Sequence, residues 1–163
     1  MKKTLAILAA LAFAGSAFAQ GTITFFSLSE IKRPDGTGAG AGFTAGLFLA
    51  NDLNTALGTT DFVPGTGFLN AVDVVVPGHP VNDNTASYVV RAWETGKTFA
   101  TSTIKGESGA FTSGALGGQN LPNPPVTPPD LGPNFTGFTM VPEPSTIALG
   151  VIGVGALLLR RRK

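Results

Sequence analysis

The chain contains no cysteine, so no disulfide braces it and no thiolate can serve as a nucleophile or a zinc ligand. Histidine, tryptophan and tyrosine occur once each, as His79, Trp93 and Tyr88. A Ser-His-Asp hydrolase would therefore have to use His79. That residue sits in Pro77-Gly78-His79-Pro80, which reads as a turn, and Gly106-Glu107-Ser108-Gly109 lacks the spacing of a Gly-x-Ser-x-Gly elbow. Zinc needs several converging ligands, and one imidazole does not supply them. Charged residues make up only 13% of the chain. Glycine and proline are abundant instead, at 22 and 12 residues, which argues for many turns and against long helices.

The two ends have a different character from the middle. Lys2 and Lys3 precede an apolar run over residues 5–14, and a small-residue stretch closes on Ala17-Phe18-Ala19 before Gln20. A basic region, a short apolar region and an A-x-A site describe a signal peptide over residues 1–19, with small side chains at Ala17 and Ala19 suited to signal peptidase. The Sec translocon and signal peptidase are the partners this implies. The cleavage site carries no cysteine, so a lipid anchor there is excluded. At the other end, Val141-Pro142-Glu143-Pro144-Ser145-Thr146 leads into about 13 apolar or glycine residues and then Arg160-Arg161-Arg162-Lys163. A free-standing span needs roughly 17–25 residues. A transmembrane helix, placed over 146–159, becomes feasible once Ser145 and Thr146 are drawn in and the arginines snorkel. The four terminal cations act as a membrane stop, staying cytoplasmic and placing the main domain outside the inner membrane.

Pro142-Glu143-Pro144, the apolar segment and the basic terminus resemble the tripartite PEP-CTERM sorting signal, here residues 141–163. The resemblance implies recognition by an exosortase, a membrane-embedded cysteine transpeptidase, and cleavage near the motif. It also implies a Gram-negative bacterium with an exopolysaccharide system, and a transient inner-membrane intermediate before release to the cell surface. The middle region resembles PEP-CTERM cargo proteins of unassigned activity. That likeness rests on the Gly-Thr-Ile start, Ala45-Gly46-Leu47-Phe48-Leu49-Ala50, the Val-Val-Val-Pro-Gly stretch, Val90-Arg91-Ala92-Trp93 and Gly106-Glu107-Ser108.

Without the two terminal segments, five Lys and Arg face nine Asp and Glu, a net charge of about −4. Such a surface repels nucleic acid, whose recognition needs a basic face. About 120 residues remain, enough for one domain. Period-two alternation predicts strands over 21–26, 43–49 and 72–76, the last stopped by Pro77-Gly78. Residues 85–94 read as a further strand, 98–104 and 109–113 as a hairpin, and 135–141 as a final strand with Phe138 and Met140 on one face. Residues 51–60 read as a short helix or a loop, and 36–42 as a glycine loop without the Lys-Ser/Thr of a nucleotide site. The proline-dense stretch within 114–133 reads as a stiff loop, with a docking ligand as the less favoured alternative. The expectation is an all-β, antiparallel, β-sandwich-like domain of about seven strands over residues 20–140. A signal-peptide helix and a C-terminal transmembrane helix flank it.

The middle domain offers no motif that specifies chemistry, so it reads as no enzyme, with no cofactor and no metal. Glu94 and Glu107 are the nearest candidates for a glycosidase pair, by residue type alone. Asn82-Asp83-Asn84, Asp52, Asp61 and Asp73 could offer oxygens to calcium, but the EF-hand pattern is absent and Asx residues are ordinary turn formers. Trp93 and Tyr88 could stack on a sugar face, while core packing is the commoner fate of such residues. Two roles remain: a structural component of an exopolysaccharide or biofilm matrix, or a lectin-like glycan-binding module, calcium-assisted.

Overall fold

Alternating apolar side chains, punctuated by glycine and proline, build an all-β structure. The computed structural model describes residues 20–143, and the strands over that range number ten, with no helix among them. They are β1 Gln20–Phe25, β2 Ile31–Lys32, β3 Phe43–Leu49, β4 Asp52–Asp61 and β5 Val72–Pro80, followed by β6 Ser87–Glu94, β7 Ile104–Glu107, β8 Phe111–Thr112, β9 Phe138–Thr139 and β10 Val141–Pro142. The expected signal-peptide and transmembrane helices fall on residues outside the described range.

The main sheet runs β10-β7-β6-β3-β4, with β8 also paired to β6. A second layer is the antiparallel pair β1–β5. Ile23, Phe25, Val74 and Val76 from this pair share one core with Ala45, Leu47, Tyr88, Val90 and Ala92 from the main sheet. The arrangement is sandwich-like, and fully burying each larger apolar side chain contributes about 1.5–3 kcal/mol. One detail departs from the all-antiparallel expectation: β2 and β9 pair in parallel, Ile31 against Phe138.

Several local expectations are corrected by the structure. Residues 51–60, read as helix or loop, fall largely within β4, which closes a tight hairpin with β3 across Ala50-Asn51. Most of its side chains are exposed because it is the sheet edge, so no alternation marks it. Pro77-Gly78 does not end its strand. The regular pairing of β5 with β1 stops at Val76 and resumes at Pro80, with the register shift between Gln20 and Gly21. The expected hairpin over 98–104 and 109–113 is two short strands, β7 and β8, each paired to β6 and neither to the other. The proline-rich stretch contributes to none of the ten strands. It lies along the free edge of β1, where Thr22 and Gly117 exchange 2.9 Å backbone hydrogen bonds and Thr24 N–H donates to Pro129 O at 2.8 Å. Covering that edge removes a template for unwanted strand pairing.

Candidate sorting segment and aromatic groove

The first two residues of Pro142-Glu143-Pro144 lie inside the described range, and they do not hang free. Val141 stands opposite Lys105 and Pro142 opposite Ile104 in the antiparallel pair β10–β7. Glu143 N–H donates to Thr103 O at 2.8 Å, and its carboxylate pairs with Lys105. That makes Glu143 and Thr103 a hydrogen-bonded rung, so Pro142 falls on the alternate rung, where its missing N–H faces away from β7. Gly106 is what lets the segment lie so close. A Cβ there would come within 3.0 Å of Met140 Cα and of the Phe138 ring.

The partner carbonyl on Thr103 is itself fixed from below by Glu94. One Glu94 carboxylate oxygen accepts from Thr103 N–H at 2.7 Å, Thr103 hydroxyl at 2.8 Å, Lys97 at 2.8 Å and Ser102 hydroxyl at 3.0 Å. The Lys97 ammonium first, then the Thr103 donors, hold the Glu94 carboxyl far below the usual carboxylate range. Glu107 is engaged separately, by Arg91 at 2.9 Å. The two glutamates sit three rungs apart on neighbouring strands, each bound to its own cation, and they do not face one another as a glycosidase pair.

Trp93 and Tyr88 are placed apart as well. They are five residues apart on one strand, so they project from opposite faces. Tyr88 is fully buried in the core, where burial pushes its phenol up to about 12. Trp93 is half-buried on the outer face, edge-on to Phe99 at 6.3 Å between ring centroids. It lines an open groove of about 370 Å³ with Phe48, Phe99, Arg91, Lys97 and Asn54. Arg91 lies over the rings of both Phe48 and Phe99, at 5.4 and 4.5 Å from their centroids. Gly46 makes room beneath, since a Cβ there would come 2.8 Å from Trp93 and 2.9 Å from Phe48. A shared Trp93–Tyr88 platform is therefore not formed. Phe48 and Phe99 take the place expected for Tyr88, Phe48 from β3 beside β6 and Phe99 from the turn between β6 and β7.

The remaining candidates have local duties. His79 Nδ1 pairs with Asp83, whose other oxygen accepts from Thr85 N–H at 2.8 Å and Thr85 hydroxyl at 2.7 Å. The Thr85 donors first, then His79, hold the Asp83 carboxyl down to about 2. Asp52 caps its own turn through Asn54 N–H at 3.0 Å, Asp61 accepts from Thr44 at 3.1 Å and Asp73 from Thr24 at 2.7 Å. Ala17, Ala19, Pro144 and Arg160 to Lys163 lie outside the described residues, while Gln20 opens β1.

No curated protein and no solved structure matches the chain. Residues 141–163 match the family described as the PEP-CTERM protein-sorting motif. The segment that begins at β10 thus carries the PEP-CTERM protein-sorting motif, and that motif implies an exported cell-surface protein with membrane passage and exosortase-type processing.

Proposed function

We propose that this protein is a non-enzymatic structural component of the exopolysaccharide or biofilm matrix of a Gram-negative bacterium. Residues 1–19 are removed after Ala17-Phe18-Ala19, leaving Gln20 first. The chain then pauses in the inner membrane through residues 146–159, stopped by Arg160, Arg161, Arg162 and Lys163, and is cut near Pro142-Glu143-Pro144. The observation that carries this reading is the sorting motif at residues 141–163. The commitment of Glu94, Glu107, Asp83 and His79 to structural partners supports a role without catalysis. The test is the mass and location of the protein in a strain lacking the sorting enzyme. A larger, membrane-retained form beginning at Gln20 is expected. Unchanged mass and location would reduce the tail to a plain anchor.

A second reading has one observation in its favour, the half-buried Trp93 in an open groove with Phe48, Phe99 and Arg91. An aromatic face beside cationic and amide donors suits a pyranose, whose apolar face stacks while its hydroxyls hydrogen-bond. In this lectin-like reading Trp93 is the contact and Tyr88, in the core, takes no part. A glycan array with and without calcium, run on wild type and Trp93→Ala, checks it. Binding that disappears in a normally folded Trp93→Ala variant is expected; equal signals from the two proteins would end this reading.

A further inference from the structure

The sorting signal does not begin as a free tail. Met140 is fully buried, and its N–H donates to Lys32 O at 2.8 Å. Beyond that anchor the chain emerges, pairs with β7 for Val141 and Pro142, and closes with Glu143 against Thr103 and Lys105. Pro142 of the motif is therefore laid down in the edge strand of the folded domain, and Glu143 is held just beyond it.

We propose that this edge strand is an autoinhibitory strap: while residues 141–143 are zipped to β7, the sorting motif is closed to the transpeptidase, and cleavage proceeds from chains in which they have peeled away. The inference rests on the reading of residues 141–163 as a cleaved sorting signal. Three observations carry it. The first is competition. An enzyme that cuts an extended peptide must reach its backbone and its charged side chain, and here Glu143 N–H, one face of β10 and the Glu143 carboxylate are all engaged by the domain.

The second is reach. Only Pro144 and Ser145 separate Glu143 from the span proposed over residues 146–159. Two residues span at most about 7 Å, so a strapped domain would lie against the bilayer with no room for an enzyme between them. Peeling residues 141–143 lengthens that tether from two residues to five. The third is the way the strap is built. Val141, Pro142 and Glu143 are all exposed, and the pairing is only two residues long. Opening is local for that reason, and it stops at Met140, whose side chain belongs to the core.

Val141 and Lys105 stand directly opposite on a hydrogen-bonded rung, where Cα atoms are about 5.5 Å apart, within the range a disulfide accepts. The chain has no other cysteine to interfere. The full-length precursor is accumulated without the sorting enzyme, the Lys105→Cys/Val141→Cys pair is oxidised, and the enzyme is then induced. Wild type and each single variant should be cut. The oxidised pair should be cut about tenfold more slowly or not at all, with reductant restoring the rate. Lys105→Gln, which loosens the strap without a crosslink, should be cut about two- to fivefold faster than wild type. Cleavage of the oxidised pair at the wild-type rate would overturn the strap while leaving the sorting reading intact. A wild-type chain left uncut would overturn both.

Discussion

Glu94 is the residue on which most local order converges. Its carboxylate gathers Lys97, Ser102 and both donors of Thr103, and so shapes the chain between β6 and β7 through contacts no more than nine residues apart. These donors favour the ionised form, and the folded carboxyl is held well below the ordinary value of 4.5. A depressed carboxylate contributes stability that is present above the unfolded value and lost as pH falls toward the folded one. Thermal unfolding should therefore occur at a lower temperature at pH 3 than at pH 7 in the wild type. Glu94→Gln should melt lower at pH 7 and lose less between the two pH values. Parallel pH profiles for the two proteins would remove Glu94 from this role. The charge of Glu94 was visible in the sequence, but its task was not, because its partners lie in a segment of Thr and Ser with no periodic signal.

At the scale of elements, the proline-rich loop carries the clearest division of labour. Leu131 and Leu116, near its ends, are fully buried, whereas Leu121 at its tip is 76% exposed. Leu131→Ala should cost about 2–5 kcal/mol by cavity formation. Leu121→Ala should stay within about 0.5 kcal/mol. Denaturant midpoints of the two variants check this, and equal losses would mean that the tip is part of the core. Strand β1 was legible in the sequence because buried and less buried side chains alternate along it, and β3 and β6 because apolar and aromatic residues crowd a short run bounded by turn residues. β4 was not, since an edge strand with most side chains in water needs no apolar alternation. The bulge in β5 was hidden because Pro77-Gly78 reads the same whether a strand ends or detours. The separation of Trp93 from Tyr88 was readable in principle: their odd spacing on one strand puts them on opposite faces. The groove partners Phe48 and Phe99 were not readable, because strand register and the path of the β6–β7 turn are tertiary properties.

For the whole molecule, the sorting signal was the most legible feature, because its three parts lie in order along 23 residues and owe nothing to the fold. The docking of its first residues on β7 was beyond the sequence. The basic tail also makes a prediction of its own. The apolar run is short and contains Gly150, Gly153 and Gly155, which add little transfer energy. Retention then depends on four cations, each costing on the order of 2.5–3.5 kcal/mol at mid-bilayer. Replacing Arg160, Arg161, Arg162 and Lys163 by neutral residues, in a strain without the sorting enzyme, should move the precursor from the membrane fraction to the soluble exported one. A variant that stays in the membrane as firmly as wild type would show that hydrophobicity suffices. The parallel pair β2–β9 has a consequence of a different kind, in time. It joins Ile31 to Phe138, more than a hundred residues apart, and Met140 closes the same junction. Contacts of such long range form late. On the proposed export route, a chain that enters the membrane from its N-terminus would not finish this domain until almost all of it was outside, when its sorting signal would just have reached the bilayer. Under that proposal folding and cleavage begin their race together, and the slow closure of the last strands adds a first interval in which the enzyme meets an open motif, before local peeling is needed.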